Sequence, residues 1–262
     1  MLSITEAQLN ALLLAWGYPM ARILGMMSTA PVFNSKATPF RIRLGVGLML
    51  TFAIAPVLNA PPPIAPGSWA GIGLFVQQIM IGMAMGLTMR IVMSALDIAG
   101  EIIGLQMGLS FAMFFDPDTS AQTAVLGEFL SLFATLVFLA LNGHLVMIDI
   151  LVRSFEIAPI GGVIFTDKPW LGLLRVAGLA MASGLLLAMP IVAALLITNI
   201  ALGVLTRTAP QLNLFAVGFP ITSTVGIVIL IISMNAFAPA FQMIFERGFE
   251  LLGQFLLALP AR

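Results

Sequence analysis

Acidic side chains one helical turn apart inside an apolar stretch are a natural place for chemistry, and this chain has such a group. Asp97 and Glu101 are four residues apart, and Arg90, seven residues before Asp97, shares their side if the segment is helical. Such a trio could relay a proton or an ion through apolar surroundings, or it could be a structural pairing inside a helix bundle. Arg22 lies in the middle of an apolar run, where an uncompensated guanidinium costs about 2.5–3.5 kcal/mol on insertion scales. It is expected to snorkel or to bind a carboxylate on another helix, the alternative being a direct transport role. Asp149 and Arg153 form an i,i+4 pair, with Glu156 further along the same side. His144 is the only histidine and there is no cysteine. One histidine without clustered acids is a poor metal site, so a structural residue is expected, and neither a metal nor a cofactor is called for. No nucleophile elbow, phosphate loop or carboxylate dyad occurs, and nothing in the pattern makes an enzyme.

The elements that must position these groups centre on Gly100 to Thr123, GEIIGLQMGLSFAMFFDPDTSAQT. Gly100, Gly104 and Gly108 recur every fourth residue and mark one helix face where another backbone can approach closely. An apolar cluster comes next, Phe111, Met113, Phe114 and Phe115, and then Asp116-Pro117-Asp118. Pro117 lacks an amide hydrogen and disfavours helical geometry at Asp116, so a helix is expected to end there. The outcome is a bulky apolar knot in a turn.

The surroundings of that knot are those of a membrane protein. Of 262 residues, 60% are hydrophobic and 8% charged, against about 25% charged in a soluble domain. Eleven basic and eleven acidic residues balance to a formal net charge of +0, so no basic face for nucleic acid can be built. The N-terminus has no basic segment and no small-residue cleavage site, so a cleaved signal peptide is not expected. The fold class is therefore all-α, a polytopic helical membrane protein contacting lipid.

Six apolar runs succeed one another. The first, from about Leu9 to Val32, contains Pro19 and Arg22. Lys36, Arg41 and Arg43, with no acid among them, place the next loop in the cytoplasm. Leu44 to Ala60 is the second run, closed by a stiff PPPIAP segment that alternation puts outside. The third, Trp69 to Leu96, is rich in Met and holds Gly82 and Gly86 at the small-xxx-small spacing of close helix contacts. Ala124 to Leu141 is the fourth. Trp170 to Leu205 is too long for one straight span and is expected to break at Pro190. A polar turn with a Gly and Pro break, Thr208 to Pro220, leads to the last run, Ile221 to Phe245. Two runs are broken and one overlong, so a plain six-span topology is a poor description.

Several blocks together resemble the FliR family, the flagellar member of the export-gate components of type III secretion, whose injectisome counterpart is SctT. They are Arg22 with Pro31-Val32-Phe33, GEIIG with QMGLSF through Phe111, Asp116-Pro117, Leu141-Asn142-Gly143-His144, and Arg207 with PQLN and GFP ending at Pro220. The resemblance covers almost the whole chain in order.

That resemblance implies packed helical hairpins with broken, partly non-spanning helices, residues 1–169 being FliP-like and 170–262 a FliQ-like hairpin. It also implies that such a chain assembles with FliP and FliQ, and with an FlhB-like protein, into the gate through which unfolded flagellar proteins cross the inner membrane. The gate belongs to the flagellar basal body export apparatus, in part raised toward the periplasmic side. The loop near 106–122 plugs the closed pore: Phe111 and Phe114 match the plug aromatics, with Met113 and Phe115 beside them. Apolar rings in a narrow lumen exclude water and so stop ions without a charged gate. A small-solute secondary transporter is the alternative of a different class, and a membrane scaffold without a pore a third. The transporter predicts internal repeats with matching interruptions, and none is convincing here.

Overall fold

The computed structural model describes residues 10, 12–35, 38–58, 64–109, 125–162, 168–209 and 214–259. Among these the regular structure is all helical. A π-helical turn, Leu13–Gly17, leads into α1 (Tyr18–Thr29); α2 is Phe40–Ile54, continued by a 3-10 turn at Ala55–Val57. Then come α3 (Trp69–Gln106), α4 (Val125–Ala140), α5 (Gly143–Ile157), α6 (Lys168–Thr208) and α7 (Leu214–Leu257). Four of them, α2 with its 3-10 turn, α3, α6 and α7, are long and apolar enough to cross a membrane, and α4 with α5 would make a fifth span if the pair counts as one.

Local sequence explains where the helices start and stop. Pro19 sits in the first turn of α1 and cannot donate to the Ala15 carbonyl, and the turn just before it widens to the π form. Ala30 precedes Pro31 and adopts extended backbone, which ends α1. Asn142, with φ 56°, interrupts the run between α4 and α5 in the left-handed conformation that Asn tolerates.

Two expected breaks are absent. α6 runs unbroken through Pro190 for 41 residues, and α7 runs through Gly218, Pro220 and Pro239 for 44. Each proline removes one hydrogen bond and stands on the exposed side of its helix, so the ring meets no neighbouring element and the remaining backbone bonds carry the helix through it. α3 likewise extends ten residues past Leu96, taking the glycine stretch into the same helix.

The chain forms two compact units. The first comprises Met1–Ile91, Asn142–Ala177 and Glu246–Arg262. Its hub is α1, whose Ile23, Met26 and Met27 are buried. α1 lies on the glycine face of α3: a Cβ at Gly25 would fall 2.6 Å from the Ile79 carbonyl oxygen, one at Gly86 2.5 Å from that of Met26, and one at Gly82 would collide with the Arg22 carbonyl. The small-xxx-small pair therefore admits the α1 backbone, as its spacing requires. Two side-chain bonds reinforce the contact, from Tyr18 Oη to the Gly71 carbonyl (3.3 Å) and from Thr29 Oγ1 to that of Met83 (2.9 Å). Of the methionines at 80, 83, 85, 89 and 93 that enrich this run, Met85 and Met89 are fully buried, while Met80 and Met83 face outward. α2 meets the start of the chain through Trp16 and Phe52, with ring centroids 4.8 Å apart.

The second unit comprises Val92–Leu141 and Gly178–Phe245. Its core is aromatic. Phe133 and Phe237 both pack on Phe241, and Phe138 meets Phe245 edge to face at 5.3 Å. Close backbone approach recurs here at Gly184, where a Cβ would lie 2.5 Å from the Ala95 carbonyl oxygen.

Gly82→Ala and Gly73→Ala should therefore part company. The methyl at Gly82 meets a backbone carbonyl that cannot yield, and we expect a loss of about 1–3 kcal/mol. At Gly73 it meets nothing within 4 Å, and the helix should gain about 0.4–1 kcal/mol. Melting curves of the two variants in one detergent check this ordering.

Candidate functional site

α1 carries Arg22 into the interior of the first unit, where it is fully buried. A guanidinium has five N–H groups, and all five are used. Nε and Nη2 both donate to Gln78 Oε1, at 2.8 and 2.5 Å. Nη1 donates to the Ser154 carbonyl (2.8 Å) and hydroxyl (3.1 Å), and Nη2 also donates to the Ala158 carbonyl (2.8 Å). The Phe155 ring lies 4.2 Å from the guanidinium carbon, its negative face completing the cage.

Each partner has a structural reason to be there. Ser154 and Ala158 lie at the C-terminal end of α5, where the helix dipole is negative, so a cation is stabilised; the Ser154 carbonyl takes Arg22 in addition to the capping Ala158 N–H. The Ser154 hydroxyl donates to the Leu151 carbonyl at 2.6 Å, which leaves its lone pairs for Arg22. Gln78 comes from α3, and its amide is oriented by the two bonds into Oε1; its buried Nε2 has no partner among the described residues. Three helices thus converge on one cation.

This corrects the expectation of a carboxylate. Among the described residues no acid pairs with Arg22, and it does not snorkel. Neutral oxygens and a ring face replace the counter-ion. The sequence carried one signal of this, a Gln77-Gln78 pair in the middle of an apolar run; the α5 carbonyls left no trace in residue types.

The other expected buried charges are not buried. Arg90 and Glu101 are exposed and Asp97 is half-buried. The buried stripe of α3 is carried by Met85, Met89, Val92, Leu96 and Ile103, and the 3.6-residue period sets the three charges to one side of it. An enclosed relay through them has no support. Among the described residues no cluster of three His, Asp or Glu could hold a metal. Asp149 and Arg153 do pair, at 2.9 Å, on an exposed face, where such a bridge contributes little.

The glycine stretch is ordered by the second unit. A Cβ at Gly100 would lie 2.5 Å from the Gly127 amide nitrogen and 2.7 Å from the Leu126 carbonyl carbon, so α3 and α4 touch backbone to backbone there. Gly104 has only ordinary contact, its nearest neighbours 4.0 Å away on Leu109 and Leu126. Gly108 is not on the helix face: α3 ends at Gln106, and Gly108, at φ 82°, makes the left-handed turn that closes it, its N–H on the Leu105 carbonyl. Sequence reasoning missed what holds that end. Thr222 Oγ1 of α7 donates to the Met107 carbonyl at 3.1 Å, and the Met107 side chain occupies the space over Gly226. Phe111, Met113, Phe114, Phe115, Asp116 and Pro117 lie outside the described residues.

Fold and site together define an all-α polytopic membrane protein, held by close backbone approaches and one caged cation. Residues 13–248 match the family model described as bacterial export proteins, family 1. The chain is 43% identical to the flagellar biosynthetic protein FliR of Escherichia coli strain K12, over 99% of each chain. It is 45% identical to the protein of that name from Pectobacterium carotovorum over 93% of each. To the one from Bacillus subtilis it is 29% identical, over 91% of this chain and 92% of that one. The chain belongs to the FliR family of bacterial export proteins.

Which half of the Arg22 cage is removed should matter. Gln78→Leu leaves a buried cation with two unanswered donors, while Arg22→Met leaves only neutral acceptors. The unsatisfied charge costs more. We expect Gln78→Leu to lose about 3–5 kcal/mol and Arg22→Met clearly less, read as melting temperature and monodisperse yield. The reverse order would mean that the cage does not carry the contact.

Proposed function

We propose that this chain is a component of the flagellar export gate. It assembles with FliP-like and FliQ-like proteins, an FlhB-like protein alongside, into the channel that passes unfolded flagellar proteins across the bacterial inner membrane at the basal body. The apolar loop at 111–115 plugs the closed pore, with Phe111 and Phe114 as its principal rings. The chain is a conduit component and no enzyme.

Beyond family membership, one observation supports this reading. α6 and α7, at 41 and 44 residues, have contour lengths of about 62 and 66 Å at 1.5 Å per residue. The hydrocarbon core is about 30 Å thick. Yet both helices are apolar nearly throughout, and only 22% of the most apolar segment of each is buried. Lipid cannot cover such a surface over its full length, so protein must. The same surface suits the FliQ-like part proposed for 170–262, whose hairpin form is supported by the Trp170 ring meeting Phe255 at 6.2 Å, the start of α6 on the end of α7. Solute transport gains no support: α6 and α7 run unbroken, and the buried arginine has no donor left for a substrate.

Expression alone should give a polydisperse, easily aggregated chain, and co-expression with the FliP-like and FliQ-like proteins a single larger species. A robust monodisperse monomer would contradict the proposal. In the assembled gate, Phe111→Ala with Phe114→Ala removes bulk without adding charge. Complex yield should hold while cells become permeable to ions and small solutes. Normal yield with no rise in conductance would make these rings packing residues.

A further inference from the structure

Between the start of α6 and the end of α7, within the first unit, lies a cavity of about 350 Å³. That is within the range of small-molecule sites, about 300–1,000 Å³. Its walls are mainly apolar, with Leu171, Val176, Leu251 and Phe255 among them, and only Arg175 and Gln254 contribute polar side chains. No acid lines it. Both polar residues are exposed, so they stand where the cavity meets its surroundings. Among the described residues Arg175 has no ion pair, unlike Arg153 and Arg247, which have one each.

We propose that this cavity is a binding site for one anionic phospholipid. The phosphate is held by Arg175, with Gln254 donating a second hydrogen bond, and the start of an acyl chain fills the apolar part. Three features select that ligand. An uncompensated guanidinium beside an apolar hollow matches an amphiphile with a negative head, and its planar fork suits phosphate oxygens. Leu171 and Leu174, 51% and 69% exposed, extend the apolar surface outward from the hollow and can carry the rest of the chain. Trp170, adjoining and half-buried against Phe255, is of the residue type enriched at headgroup level in membrane proteins, which suits a phosphate-binding site there. The inference rests on the membrane character of the chain and stands whether or not the gate assembles as proposed.

Two variants separate charge from shape. Arg175→Gln removes the cation. Gly172→Leu fills the hollow while keeping Arg175; a side chain started at Gly172 meets nothing within 4 Å, so folding should persist. The full chain, alone or in its complex, is delipidated, checked by melting, and titrated with phosphatidylglycerol or phosphatidylcholine micelles under native mass spectrometry. We expect one phosphatidylglycerol retained per chain, at least about tenfold in preference to phosphatidylcholine. Both variants should lose that retention at unchanged melting temperature. Inorganic phosphate at millimolar concentration should not displace the lipid, because it lacks the chain. Equal retention of the two lipids, or retention unaffected by Arg175→Gln, would show unspecific apolar adsorption and overturn the proposal. So would displacement by phosphate alone, or a hollow occupied by a partner protein in the purified complex with no lipid bound.

Discussion

Length against bilayer thickness is the constraint on which most of this structure depends. α3, α6 and α7 have 38, 41 and 44 residues, contour lengths of about 57–66 Å. A straight helix of about 57 Å tilted by about 40° still covers about 44 Å along the membrane normal, more than the hydrocarbon core. Yet few charges interrupt these helices, and their outward faces show Leu186, Ile197 and Ile232, each well exposed. A lone chain has no means of covering this surface. Internal cohesion and outward demand are therefore separate problems in this chain.

Internal cohesion rests on close backbone contact and on hydrogen bonds to neutral oxygens. In an apolar medium the backbone must bond to itself, and helices attract one another by contact rather than by expelling water. Glycines at 25, 82 and 86 in one unit, and at 100, 127 and 184 in the other, bring backbones close enough for that contact to be effective. Arg22, the deeply buried cation among the described residues, is met by five hydrogen bonds to neutral oxygens and by a ring face. Because its acceptors belong to α3 and α5, Arg22 fixes the last turn of α5 against both other helices. A carboxylate would have held the charge with less dependence on backbone position; carbonyls at a helix end tie it to one geometry.

Each feature was legible in the sequence only as far as residue types and their spacing determine it. Spacing alone marks Gly82 and Gly86 as a contact face, and Asp149 with Arg153 as a pair. Composition marks the membrane class, and motif blocks mark the family. The Arg22 cage was only half legible because two of its four acceptor atoms are backbone oxygens, which every residue has. The continuity of α6 and α7 was hidden because proline lowers local helix preference, while a long apolar helix has no better partner for its remaining backbone groups than itself. Gly108 was misplaced by its own periodicity: the every-fourth-residue pattern continues past the point where α3 stops, and only its φ of 82° reveals a turn. The aromatic knot, Phe111 to Phe115, lies outside the described residues, so its role remains a proposal resting on resemblance and on the physics of apolar constrictions.

In the proposed assembly, protein and not lipid covers the outer faces of the long helices. Photo-crosslinking side chains placed singly at Leu186 and Ile197 of α6, in membranes of cells making the flagellar apparatus, test it directly. The account predicts adducts with a FliQ-like protein at one or both positions, replaced by lipid adducts when that protein is deleted. Lipid adducts at both positions in the intact apparatus would contradict it.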